Sequence, residues 1–293
     1  MRNVRRWLYS AGTLTAAGAT ACGLGLAGGP GSASAASAAS SHPRFTTEVV
    51  TTSVSHAAAY VPPNHNLYYG AHGPAVRSVQ RRLNQLHYYA GPVDGQFGQD
   101  LAWAVWAFKR VQGLPVVNKV DSNTANTAIT LSFRKALAHP KQPYALVPKG
   151  GANRVEINLK RQYLVLYKNG AVNLILDISS GGGYYYCNPK PPKGDGSCGT
   201  AVTEDGNFHA AYFVPGWDKV PLGYMYNPVF FNPAAGQAMH GGDPVPYFPA
   251  SHGCVRLQED VQNWFHNRLT VGGPHATPVY VRGVAPYAPA SWF

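Results

Sequence analysis

The feature that most constrains this chain is a change of hydrophobic period. Between residues 74 and 111, apolar residues recur at steps of three and four: Val76, Val79, Leu83 and Leu86, then Leu101, Val105, Phe108 and Val111. That spacing gathers them on one face of a helix. From residue 153 the step becomes two. Val155, Ile157 and Leu159 alternate with polar residues, and Tyr163, Val165, Tyr167 and Val172, Leu174, Leu176 keep the same step. Period two belongs to strands. The chain is therefore read as multi-domain, a small three-helix α domain followed by a mostly β domain.

Local signals divide these regions further. Pro74 can open the first helix. Gly91-Pro92-Val93-Asp94-Gly95 is a turn cluster. Asp100 can cap the second helix, Gly113 ends it, and Asp121 can cap a short third helix through Ile129. Trp103 and Trp106 cannot both lie on the narrow core face of the second helix. That leaves helix packing or exposed stacking for them. Asn169-Gly170 marks a hairpin, so the first three strands form an antiparallel meander. Val229-Phe230-Phe231 and Pro278-Val279-Tyr280-Val281 read as later strands. Glu259 to Leu269 reads as a helix with Val261, Trp264, Phe265 and Leu269 inward.

The N-terminus carries Arg2, Arg5 and Arg6, then an apolar run of small residues, then Ser32-Ala33-Ser34-Ala35. This order reads as a signal peptide over 1–35. The run is too broken by Gly and Thr for a stable membrane span after cleavage. Residues 36–66, rich in Ser, Thr and Ala, read as a flexible tether. The helical region covers 67–130 and the β region 152–283. A linker at 131–151 is stiffened by Pro140, Pro143 and Pro148, and 284–293 is a tail. A secreted chain that is likewise read as a monomer follows.

Chemistry concentrates between Met239 and Leu257, which hold Cys254, His240 and His252. A thiol attacks as thiolate and needs a base or a cation beside it. Gly241 and Gly253 leave room for a substrate backbone. The N–H groups of His252, Gly253 and Cys254 could face an oxyanion. Ser251 either orients an imidazole or holds a turn. No Cys-x-x-Cys or His-Glu-x-x-His accompanies these residues, so neither a metal nor another cofactor is expected. If Cys22 leaves with the signal, three cysteines remain, which implies one bridge and one free thiol outside the cell. Cys187 and Cys198 flank a short Pro- and Gly-rich loop that suits the bridge, leaving Cys254 free. Lys and Arg total 24 against 13 Asp and Glu. That balance favours polyanions. No nucleic-acid motif is present, and an anionic cell wall fits an exported chain.

His240-Gly241, followed by Ser251-His252-Gly253-Cys254-Val255-Arg256, resembles the signature of the YkuD-type L,D-transpeptidases. Ser179-Ser180-Gly181 and Thr203-Glu204-Asp205-Gly206-Asn207-Phe208 match the same family, with Glu204 where a proline is usual. Val79-Gln80, Val93-Asp94-Gly95, Phe97-Gly98 and Gln112-Gly113-Leu114 resemble the type 1 peptidoglycan-binding domain. The resemblance implies a YkuD-type, β-sandwich-like catalytic domain. Cys254 would attack a stem peptide, with His240 as base and His252, Ser251 and Gly253 around them. It also implies peptidoglycan stem peptides and glycan as partners. A lid near Trp217, Tyr224, Met225 and Tyr226 would cover the site. Arg256 is left with two roles, forking a substrate carboxylate or holding a structural ion pair. Gly241 and Tyr226 are expected to touch substrate. Water in place of an amine would make the chain an L,D-carboxypeptidase, and an inactive site would leave a wall-binding structural protein.

Overall fold

The computed structural model describes residues 60–116, 127–192 and 196–288. The expected signal peptide and most of the expected tether lie outside the described residues, as do residues 121–126 of the expected third helix.

The helical region opens with α1 (Pro74–Gln85), whose proline stands in the first turn. Then come α2 (Gln99–Gln112) and α3 (Leu131–Ala138). Gly113 closes α2 in the left-handed conformation, φ 74°. Asp100 does not cap α2: Gly98 holds the cap position, and Asp100 stands in the first turn. Two segments expected to be loose are packed. Residues 131–138 of the expected linker form α3, because Phe133 and Leu137 have an apolar core to enter. Before them, Arg82 lies over the Tyr60 ring, and Arg134 donates to the Pro63 carbonyl.

The β region forms two facing five-stranded sheets. The first runs β3-β2-β1-β12-β6. Its strands are β1 (Arg154–Asn158), β2 (Tyr163–Lys168), β3 (Ala171–Asp177), β6 (Gly206–His209) and β12 (Pro278–Arg282). The meander β1-β2-β3 is antiparallel, while β12 returns parallel to β1. The second runs β11-β10-β9-β7, with β8 paired to β9. It contains β7 (Tyr212–Phe213), β8 (Trp217–Val220), β9 (Gly223–Asn232), β10 (Gln237–Gly241) and β11 (Val255–Leu257). Between the sheets lie Val155, Ile157, Leu164, Leu166, Val229, Phe231, Met239, Val255, Val279 and Val281. The helix α4 (Glu259–Phe265) adds Val261 and Phe265 to this core. A separate hairpin, β4 (Tyr185–Cys187) and β5 (Cys198–Thr200), interrupts the path from β3 to β6.

The outer face of the first sheet is not solvated. Tyr163, Val165, Tyr167 and Ile175 point away from the sandwich and join the helical core of Val79, Leu83, Val105, Phe108 and Phe133. β2 is therefore apolar on both faces, Leu164 and Leu166 inward and Tyr163, Val165 and Tyr167 toward the helices. The exposed edge of β3 is also covered. Ile175 donates its backbone N–H to the His87 carbonyl at 2.8 Å. Tyr89 reaches α4, donating to Asp260 at 2.9 Å. On α2 both tryptophans are buried. Trp103 and Trp106 pack on Val245, Tyr247 and Phe248, so α2 is enclosed on more than one face, buried without a break from Leu101 to Lys109.

One shared core predicts one cooperative transition. Calorimetric unfolding of the full chain is expected to show a single peak for helices and sheets together. Phe108→Ala, which empties a ring buried between Tyr88 and Phe133, should lower the whole transition at a cost of about 3–5 kcal/mol. Two separable transitions, with only the first moved, would contradict a shared core.

Candidate active site

Strand alternation brings the chemical residues together. In β10, Met239 enters the sandwich core, which turns its neighbours Ala238 and His240 to the opposite face. In β11, Val255 and Leu257 enter the core, which turns Arg256 and the preceding Cys254 the same way. The two strands are parallel neighbours, with Met239 beside Val255 and His240 beside Arg256. His240, His252, Cys254 and Arg256 consequently line one cavity of about 550 Å³.

Two glycines allow the backbone to close here. A Cβ on Gly181 would sit 2.6 Å from the Ala201 carbonyl oxygen. Gly253, at φ +150°, would place one 3.0 Å from the Val202 carbonyl oxygen. The turn before Cys254 is held by Ser251, whose hydroxyl donates to the Cys254 carbonyl and accepts from the Gly253 N–H at 3.1 Å. Thr203 donates to the Gly253 carbonyl at 2.7 Å. Of Ser251's two expected roles, the contacts fit the turn. They also remove Gly253 from the expected oxyanion donors, since its N–H is engaged. Among the described residues no acceptor meets the N–H of His252 or Cys254.

His240 is buried, and its Nδ1 lies 2.8 Å from the Gly241 carbonyl oxygen. A carbonyl can only accept, so Nδ1 carries the proton and Nε2 keeps its lone pair. Burial holds the imidazole pKa down to about 4; the Gly241 carbonyl opposes this, and Arg256 adds to it. Burial pushes the Cys254 thiol up, against the Ala238 backbone and Arg256. Its sulfur lies 3.7 Å from the Gly236 carbonyl oxygen and 3.8 Å from Met225 Sδ. Both partners thus rest neutral near pH 7, a thiol and a free imidazole rather than a preformed ion pair.

His252 sits elsewhere in the cavity wall. Its ring is met edge-on by Tyr186, centroids 4.6 Å apart, and by Tyr184 at 5.6 Å. Burial and then Arg256 lower its pKa. Tyr186 belongs to β4, and the hairpin is closed by the Cys187–Cys198 disulfide. Cys254 is the free cysteine among the described residues. The opposite wall comes from the β8–β9 hairpin through Leu222, Tyr224 and Met225.

Two residues expected to touch substrate sit away from the cavity. Gly241 does not line the cavity; it is wedged against Glu259, Gln262 and Tyr226, and its carbonyl serves His240. Tyr226 packs on Trp217 and donates to Asn263 of α4, so Tyr224 and Met225 face the cavity instead. For Arg256, the described residues offer no carboxylate within ion-pair distance; it donates to the Pro244 carbonyl at 3.3 Å and borders the cavity. Sequence reading missed Glu204, the one carboxylate among the cavity-lining residues. Its Oε2 accepts from Asn232 at 2.7 Å. The signal for it was its place where the family pattern has proline. Among the described residues no three His, Cys, Asp or Glu side chains gather as metal ligands.

The fold is thus a two-sheet sandwich with a docked helical module, and a thiol and an imidazole border one cavity from β10 and the turn before β11. Residues 152–281 match the L,D-transpeptidase catalytic domain, and residues 72–127 match the putative peptidoglycan binding domain. An L,D-transpeptidase from Xylanimonas cellulosilytica is 30% identical in sequence; the match covers 75% of this chain and 99% of that one, with a TM-score of 0.64. An L,D-transpeptidase from Stackebrandtia nassauensis is 17% identical, over 75% of this chain and 96% of that one, with a TM-score of 0.41. The localization factor PodJL of Caulobacter vibrioides is 48% identical over 48 residues, which are 16% of this chain but only 5% of that protein. The chain belongs to the L,D-transpeptidase family and carries a peptidoglycan-binding module.

The neutral pair has a pH signature. A small neutral alkylator should react slowly with Cys254 at pH 7 and speed up only above the usual thiol range. Substrate-driven acylation, where His240 takes the proton, should be level near neutrality and fall as pH drops through about 4, where the imidazole protonates. Alkylation followed upward from pH 7 checks the first and stopped-flow acylation followed downward from neutrality to below pH 4 checks the second; an acid limb near 6.5 would place the base in an unburied imidazole.

Proposed function

We propose that the chain is a wall-associated enzyme that cross-links peptidoglycan stem peptides through a thioester on Cys254. The observation that carries this is the free thiol of Cys254 and the unprotonated Nε2 of buried His240 facing one cavity. Sγ attacks the carbonyl carbon of the bond to the terminal D-residue while Nε2 takes its proton. The N–H groups of Cys254 and His252 stabilise the oxyanion. Each such donor is worth about 3 kcal/mol in this class of step. Collapse breaks the C–N bond, and Nε2 returns the proton to the departing amine. An acceptor amine then attacks the thioester, passes its proton to Nε2, and the sulfur leaves and is reprotonated. Arg256 binds a substrate carboxylate, a role supported by its lack of a protein ion pair. The helical module holds the chain on the wall, in keeping with its family match.

An amine acceptor is favoured over water by Glu204. It is the single negative side chain lining the cavity among the described residues and gives an approaching ammonium a partner. Hydrolysis, as in an L,D-carboxypeptidase, remains the competing outcome of the same thioester.

Incubation with disaccharide tetrapeptides and mass spectrometry tests this reading. Dimers are the expected product; tripeptides alone would make the enzyme a carboxypeptidase, and unchanged substrate would refute catalysis. Cys254→Ala should abolish turnover and any carbapenem adduct. His240→Ala should slow acylation by roughly 10²–10⁴-fold. His252→Ala should slow it far less; the reverse ranking would exchange the two histidines. Glu204→Gln should leave acylation unchanged and shift products from dimer toward tripeptide.

A further inference from the structure

We propose that the helical module is also part of the scaffold that aims the nucleophile, with Arg110 of α2 as its positioning residue; this rests on Cys254 being the nucleophile. One stripe of α2 is given over to a single loop. Trp103 Nε1 donates to the Val245 carbonyl at 2.9 Å. One turn on, Trp106 meets the Tyr247 ring edge-on at 5.5 Å. One turn further, Arg110 Nη2 donates to the Tyr247 carbonyl at 2.6 Å. Residues 103, 106 and 110 fall on one face by helical period. The loop they hold runs directly into Ser251-His252-Gly253-Cys254.

Arg110 also grips the opposite rail. Its Nε donates to Asp177 at 2.6 Å at the end of β3, and its Nη1 to the Arg161 carbonyl at 3.2 Å. From Asp177 the chain passes to Ser179 and Ser180, which bind the loop a second time. Ser179 Oγ donates to the Phe248 carbonyl and accepts from the Ala250 N–H, both at 2.8 Å. The Ser251 N–H donates to the Ser180 carbonyl at 3.0 Å. Ser251 then fixes the Cys254 carbonyl through its hydroxyl. Hydrogen bonds and the short stretches of backbone between them thus join the guanidinium of one module to the turn bearing the sulfur of the other.

The chemistry of the pair favours geometry over stability as its purpose. The Arg110 and Asp177 side chains are 8% and 0% exposed, and among the described residues Asp177 Oδ2 has no partner. A buried ion pair with an unsatisfied oxygen is commonly matched in stability by apolar residues of similar size. Apolar residues could not reach three acceptors on three segments at fixed angles, whereas a planar guanidinium can. Attack on a carbonyl tolerates little misplacement, with about 1 Å costing on the order of 10²-fold in rate.

The test uses the full chain, a carbapenem as acylating probe, and kinetics that separate non-covalent affinity from the first-order acylation constant. Arg110→Met combined with Asp177→Leu should melt within a few degrees of wild type and bind the probe equally well. It should nonetheless acylate on the order of 10²-fold more slowly. Arg110→Lys should not restore the rate, since a single ammonium cannot hold all three acceptors. Trp103→Phe, which keeps the packing and removes one N–H, should acylate several-fold more slowly at unchanged affinity. A folded double variant acylating at the wild-type rate would overturn the proposal. If that variant fails to fold, a wild-type rate in Trp103→Phe would do the same. Failure of the nucleophile assignment is separately visible, as an adduct that survives Cys254→Ala.

Discussion

The absence of a solvent face on β2 is the constraint from which the rest of the architecture follows. Tyr163, Val165 and Tyr167 on one side and Leu164 and Leu166 on the other are all buried. A sheet with two apolar faces must be covered twice. The second sheet covers one face and the helices cover the other. At roughly 25 cal/mol per Å² of apolar surface removed from water, neither module can shed the other without exposing a large aromatic patch. The helical module is therefore built into the fold, and its α2 reaches the catalytic loop because it already lies against the same sheet. The two proposed roles of the module, anchoring to the wall and shaping the site, would both follow from one packing solution.

Inside the site, electrostatics and burial act together. The parallel pair β10–β11 sets His240 beside Arg256 and brings Cys254 to the same face. Arg256 opposes a positive charge on either histidine, and burial opposes it further on His240. The same burial disfavours a thiolate. An imidazole kept neutral is a ready proton acceptor at any pH above its lowered pKa. A thiol kept neutral is protected from adventitious electrophiles, since the thiolate is the reactive form. In the proposed reaction, proton transfer is thereby deferred until a substrate carbonyl occupies the cavity.

Much of this was legible in the residues. The shift from period 3.6 to period two located both modules. The His-Gly and Ser-His-Gly-Cys-Val-Arg segments pointed to residues that the structure gathers around one cavity, because covalent chemistry restricts residue identity more than packing does. What escaped was long-range. Tyr163, Val165 and Tyr167 were read only for their step of two, though the unbroken Tyr-Leu-Val-Leu-Tyr run is the mark of a strand buried on both sides. Trp103 and Trp106 were set against a single core face, and no local signal revealed that a second partner, the loop at 245–248, lay across the helix. Gly241 and Tyr226 lie away from the cavity for a related reason. Sequence proximity to a motif puts a residue near the site, but only register decides which way it faces, and a β-bulge separates Met239 from Gly241 in the pairing with β9.

The β4–β5 hairpin extends the same logic to the cavity wall. Each strand has three residues, and its burial alternates between exposed and intermediate positions, so it has no core of its own. A two-stranded ribbon of this kind is marginal in water. The Cys187–Cys198 bridge joins directly opposed residues of the pair and supplies a constraint that burial does not. Closing so short a loop restricts the unfolded chain by about 2–3 kcal/mol in the chain-entropy view. Tyr186 adjoins that bridge, and its ring lies against His252, two residues from Cys254. The wall is thus constrained where it meets the loop of Cys254. Pairing Cys187 with Cys198 also leaves Cys254 as the free thiol among the described residues.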